Sequence, residues 1–174
     1  MNDLFFSALD VACIIDNFDL TLKSSAELIF RLWNEDKNFL QPQYRRNYKK
    51  FFLDVRYWSG YLYDKVNFDK EFPAIQKDCG GILNDENFVT DDFNFDLFFK
   101  SLRVRILYIG DKNFARMKLR TLLAVYGYKR RSSGIVRYLQ DCLLFYRIQT
   151  FLRGNVSCDV EEINLDDMIT FRVI

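Results

Sequence analysis

The chain has 174 residues, of which 49% are hydrophobic and 28% are charged, and its net charge at pH 7 is +1. This composition is typical of a folded globular protein and excludes a disordered chain. The sequence contains no histidine, which removes the commonest general base and the commonest metal ligand and disfavours most hydrolase chemistry.

Two features concern the compartment in which the chain acts. Its first 18 residues hold three aspartates and no lysine or arginine, which is unlike a signal peptide. No uninterrupted apolar run reaches the roughly 18 residues that a membrane helix needs. We therefore expect a cytoplasmic protein without membrane contact. The cysteines show no paired spacing, which favours free thiols; they are Cys13, Cys79, Cys142 and Cys158.

The first half of the chain is predicted to be mainly helical. Residues 1–22 fit either a helix or a short buried strand. Ser24 to Glu27 have the pattern of a capping box, and residues 28–33 continue it with an apolar stripe. A second amphipathic helix is predicted over residues 44–66. Turn residues then dominate residues 68–95, which are predicted to be a long connection or a domain boundary.

The second half is predicted to begin with a short strand over residues 102–109, which are rich in β-branched and aromatic residues. A helix is predicted over residues 114–126. The turn from Tyr128 to Ser133 follows, and its serines supply the N-cap of a long helix that is predicted to end at Gly154. Two short strands are predicted to close the chain, at residues 158–163 and 168–173.

The charge is strongly segregated along the chain. Residues 1–99 hold 11 Lys and Arg against 17 Asp and Glu, whereas residues 100–154 hold 13 against 2. Residues 155–174 are acidic again, with 1 basic and 5 acidic residues. Two explanations are open: the acidic parts neutralise the basic part internally, or the basic part faces a polyanion. We favour the second, because arginine dominates the basic set and suits phosphate and base-edge contacts.

The order strand, helix, basic turn, helix, strand, strand is that of a winged helix. A cationic turn precedes a helix whose positive N-terminal end also attracts phosphate. The second helix would be the recognition helix, and the helix before the turn would extend the basic stripe. The candidate nucleic-acid-binding residues are Arg116, Lys118, Arg120, Lys129, Arg130, Arg131, Ser132, Ser133 and Arg137.

The runs Arg116–Leu123 and Tyr126–Ser132 resemble winged helix-turn-helix modules of bacterial proteins, some of them in anti-phage conflict systems. The resemblance covers about residues 100–174. It implies a DNA-binding regulator, or an accessory factor of a bacterial or phage conflict system acting in antiviral defence. One departure is the acidic character of the expected wing, residues 155–174, which argues against contact between the wing and phosphate.

We therefore predict a mainly α (α+β) fold, with an N-terminal helical region over residues 1–95 and a winged-helix-like basic unit over residues 96–174. The partner would be nucleic acid, DNA rather than RNA. The N-terminal helices would offer a surface for self-association or for a protein partner. The alternative is a protein-interaction module that binds no nucleic acid.

Catalysis is the weaker hypothesis. The string Glu35-Asp36-Lys37, with Asp16 and Asp19 upstream, would suit a divergent metal-dependent nuclease. It is predicted to lie at the end of a helix rather than on a strand hairpin, and neither common glycine-rich phosphate loop is present. We expect no enzymatic activity, no cofactor and no metal.

Overall fold

The computed structural model describes residues 4–71, 95–125 and 128–174. The chain forms two compact units: an N-terminal unit, Phe5–Thr90, and a C-terminal unit, Asp91–Ile174 together with Met1–Leu4. The fold is mainly helical with a small antiparallel sheet of three strands, which confirms the predicted α+β class. Within the ranges given above, none of the helices has both the length and the apolar character needed to cross a membrane.

The N-terminal unit begins with helix α1, Ala8–Asn17. Its start is a capping box, because the Ser7 hydroxyl accepts from the Asp10 amide at 3.0 Å and the Asp10 carboxylate accepts from the Ser7 amide at 2.8 Å. Helix α2, Leu22–Glu35, begins earlier than predicted. The predicted capping box from Ser24 is wrong, since Thr21 is the N-cap and its hydroxyl accepts from the Ser24 amide at 3.2 Å.

Helix α3, Tyr48–Glu71, packs against α1 and α2. It begins four residues after the predicted start, because Tyr44–Asn47 form turns instead. A short 3₁₀ turn, Lys37–Phe39, follows α2. The predicted apolar stripes form the core of this unit, and the buried side chains include Leu28, Ile29, Leu32, Phe51, Val55 and Trp58. Most of the predicted connection lies outside the described residues.

The C-terminal unit begins with helix α4, Phe95–Val104, which runs into a π-helical turn, Arg105–Ile109. The predicted strand over residues 102–109 is therefore wrong. Its β-branched residues favour a strand locally, but their apolar positions continue the helical spacing of the residues before them. The side chains on that face are buried; they are Phe95, Phe99, Leu102 and Ile106.

The remaining elements follow in the order strand, helix, helix, strand, strand. They are β1 Ala115–Lys118, α5 Leu119–Val125, α6 Ser133–Phe145, β2 Ile148–Phe151 and β3 Met168–Val173. The helix predicted over residues 114–126 is wrong in its first half, which is β1. The long helix predicted to reach Gly154 ends at Phe145. Residues 158–163 form turns rather than a strand, whereas the predicted strand at 168–173 is confirmed.

The sheet has the order β1-β3-β2, and both pairs are antiparallel. Phe171 of the central strand β3 pairs with Ala115 of β1 and with Thr150 of β2. The core of the unit forms where this sheet meets the helices. Its most buried side chains include Phe99, Leu119, Leu139, Cys142, Tyr146, Ile169 and Phe171.

Candidate nucleic-acid interface

The N-terminal end of α6 is an exposed helix start. Ser132 is its N-cap, and the hydroxyl accepts from the Ile135 amide at 3.4 Å. Ser133 and Gly134 are exposed in the first turn, and a Cβ added at Gly134 would meet nothing within 4 Å. The free amides and the helix dipole at such an end favour an anion. The site is open, so a ligand backbone can approach it closely.

Three cations surround this helix start. Lys129 and Arg130 lie in the turn before it, and Arg137 lies one turn into α6; all three are exposed. Across the described parts of the chain, no hydrogen bond or ion pair occupies any of the three side chains. These charges are consequently available to an external partner.

Arg131, the third cation of the turn, has a different environment. Its side chain is half-buried, and its Nη1 donates to the carbonyl oxygens of Val160 and Ile163 at 2.9 and 2.6 Å. The guanidinium therefore holds the loop that precedes β3. The structure separates Arg131 from Lys129 and Arg130, which the sequence pattern had grouped with it.

The sequence predicts that the cations before the turn lie on one helix, but in the structure they lie on a strand and a helix. Arg116 and Lys118 lie on β1, both exposed and on the same side of the strand because they are two residues apart. Arg116 donates to the Thr170 hydroxyl at 3.2 Å, and its guanidinium carbon lies 4.8 Å from the centre of the Phe114 ring. The prediction that Arg116 and Lys118 lie on the preceding helix is wrong.

Arg120 lies at the start of α5 and is paired. Its Nε and Nη2 each lie 2.8 Å from a different oxygen of Asp166. Hydrogen bonding to Arg120 lowers the pKa of the Asp166 carboxyl below its usual value, and the same bond raises the pKa of Arg120. Arg120 also lines a cavity of about 430 Å³ together with Lys129. A charge from α5 and a charge from the turn thus share one concave surface.

The connection between β2 and β3 begins with a tight turn. Gly154 and Asn155 have positive φ values of 84° and 61°, and the Leu152 amide donates to the Val156 carbonyl at 2.8 Å. Arg153 is exposed at the tip of this turn. It lines a cavity of about 270 Å³ with Arg116. Arg153 was missed from the sequence because Gly154 was interpreted as the end of a helix rather than as a hairpin turn.

Two of the 13 basic residues in the segment 100–154 belong to the core instead. Lys100 is 2% exposed and Arg103 is 5% exposed, and Arg103 Nη1 donates to the Tyr146 carbonyl at 2.7 Å. Asp96, 1% exposed, accepts hydrogen bonds from the Tyr138 hydroxyl and from Cys142 Sγ. Burial, and then the charge of Asp96, raise the pKa of the Cys142 thiol. The number of basic residues in the segment 100–154 is therefore larger than the number of positive charges it places on the surface.

The acidic residues of the candidate nuclease string have structural environments of their own. Glu35 accepts from Arg31 at 3.1 Å, and Asp36 is buried. In the part of the chain that the structure describes, no three cysteine or acidic side chains come together as metal ligands. Cys13, Cys142 and Cys158 are free thiols, while Cys79 lies outside the described residues.

No family model, no curated protein and no solved structure matches this chain.

Proposed function

We propose that the C-terminal unit is a winged-helix-like module that binds nucleic acid, with duplex DNA as the preferred partner. The arrangement of α4, β1, α5, α6, β2 and β3, with the sheet order β1-β3-β2, supports this reading. In helix-turn-helix proteins the second helix enters the major groove with its N-terminal residues at the base edges. In this chain that helix is α6.

The observation that carries the proposal is the set of exposed, unpaired cations at the start of α6. All three side chains are exposed; in the proposed complex Lys129 and Arg130 contact phosphates, and Arg137 lies along the groove. Ser133 and Gly134 leave room for close approach. Arg153 of the β2–β3 turn and Arg116 of β1 line one cavity and form a second basic surface. Contact of this turn with phosphate is part of the proposal, because the acidic residues lie further along the connection.

The wider role, as a transcriptional regulator or as an accessory factor of a bacterial or phage conflict system, rests on the sequence resemblance. A cytoplasmic location belongs to the same proposal.

The test is a binding titration of the full chain against a labelled duplex of arbitrary sequence, a single strand and an RNA hairpin. We expect measurable binding at low salt and a steep loss of affinity as salt rises. The variant K129A/R130A removes two phosphate contacts, so the slope of log K against log[salt] should fall by about 1.8, at about 0.9 per contact. The matched control is K37A/R46A, which removes two exposed charges of the N-terminal unit. Equal slopes for the two double variants would contradict the proposal.

A second candidate function is protein interaction through the N-terminal unit. Phe30 and Leu22 of α2 are 52% and 72% exposed. The ring of Phe30 lies edge-on to Tyr48 with centroids 6.0 Å apart, and Trp33 lies 5.4 Å from the same ring. Exposed aromatic surface of this kind is typical of interfaces. A stable oligomer that F30S dissociates, combined with no nucleic-acid binding at low salt, would favour this function over the first.

A further inference from the structure

The residues Asp159–Asp167, which we name the acidic segment, lie against the elements that carry the candidate cations. The segment contains five Asp and Glu residues and no Lys or Arg. Asp159 accepts from Gln140 of α6 at 2.9 Å. At the other end, the Leu165 carbonyl accepts from the Arg120 amide of α5 at 2.8 Å. The segment therefore joins both helices of the proposed binding surface.

The backbone of the acidic segment is fixed. Val160 and Ile163 are 3% and 6% exposed, and their carbonyls accept from Arg131. Between these anchors, Glu161 and Glu162 are exposed. The buried anchors and the bonds from Arg131 tie the backbone of the segment to the basic turn.

Arg120 and Asp166 form a bidentate pair, and arginine binds phosphate with the same geometry. Two guanidinium nitrogens face two carboxylate oxygens in parallel, which is the arrangement that arginine also offers to phosphate. Both side chains are more than half exposed, at 57% and 62%. A phosphate that takes this edge of the Arg120 guanidinium, formed by Nε and Nη2, must displace Asp166.

We propose that the acidic segment is an intramolecular competitor of the nucleic acid, with Asp166 in the place of a backbone phosphate on Arg120. The inference rests on the proposed function, whose regulation it describes. A phosphate contact at this edge of Arg120 replaces the contact with Asp166 rather than adding to it, so the exchange contributes little to affinity. Arg120 is thereby a latent contact that adds to affinity only when Asp166 is neutralised or moved.

The experiment compares D166N with wild type in the full chain, with a labelled 20-bp duplex. Removal of the competitor should raise affinity about threefold to tenfold at low salt and steepen the slope of log K against log[salt] by about 0.9, the value for one added phosphate contact. The control E35Q removes the same charge from another exposed arginine pair, Arg31–Glu35, in the N-terminal unit. It should leave both quantities close to those of wild type.

A double-mutant cycle with R120A separates competition from a general charge effect. R120A alone should bind within about twofold of wild type, because its contact is already occupied. In D166N/R120A the gain of D166N should disappear. A gain that persists in the double variant, or equal behaviour of D166N and E35Q, would overturn the inference.

The failure of the inference and that of the proposed function are distinguishable. If D166N changes nothing while K129A/R130A weakens binding, the inference fails and the proposed function stands. If neither wild type nor D166N binds any probe at low salt, both fail. Binding by D166N where wild type shows none would support both. The melting temperatures of all variants should stay close to that of wild type, since exposed pairs contribute little to stability.

Discussion

Replacement of Arg131 by alanine separates the structural part of the basic turn from its binding part. The change removes one charged donor that serves the carbonyls of Val160 and Ile163 at 2.9 and 2.6 Å. A hydrogen bond that involves a charged group contributes about 1.5–3 kcal/mol. Because the side chain is only half-buried and the free carbonyls can bind water, we count one such bond rather than two. The expected loss is about 2 kcal/mol in the free energy of unfolding.

The assay is urea denaturation followed by circular dichroism, with the free energy from linear extrapolation. The control is R130A, which removes an exposed charge without a partner in the described structure and should change stability by less than about 0.5 kcal/mol. R131K keeps the charge but lacks the planar fork, so most of the stability loss should remain. Unchanged stability of R131A, together with a loss of DNA affinity equal to that of R130A, would refute the structural role.

Two further predictions concern other parts of the chain. R153A should reduce the salt slope of DNA binding by about 0.9, as expected for the loss of one phosphate contact, whereas K23A in the N-terminal unit should not; equal slopes would exclude the β2–β3 turn from the interface. Burial raises the pKa of the Cys13 thiol from 9.0 to about 12, so the unfolded chain releases this proton first as pH rises. Stability should therefore fall between pH 9.0 and about 12, and C13S should flatten that part of the pH profile of unfolding free energy.

Helical periodicity in the N-terminal unit was visible in the sequence. The stripe through Leu28 and Leu32, and the stripe through Phe51 and Val55, are buried as predicted. Such stripes can be recognised because all their members lie within a few turns of one helix. The positions of the helix ends were less predictable, since Thr21 and Ser24 are both good caps and only one of them can lie at the helix start.

The errors in the C-terminal unit arise from distant partners. The strand β1 exists because Ala115 to Lys118 pair with Phe171 to Met168, and this pairing between residues 50 to 56 positions apart leaves no local signal. The end of α6 was missed because Arg147 takes a positive φ of 53° without a glycine. Basic composition singled out Lys129, Arg130 and Arg137, whose side chains are exposed, but it could not reveal that Arg131 donates to two backbone carbonyls.

The hydrogen bond from the Tyr146 hydroxyl to the Leu4 carbonyl, 2.6 Å long, joins residues that are 142 positions apart. Leu4 belongs to the C-terminal unit. The N-terminal unit is therefore an insertion in the sequence of the C-terminal unit. During synthesis, the residues of the inserted unit emerge before the C-terminal unit can be completed. The early folding of that insert would shorten the effective loop and lower the entropy cost of closing it.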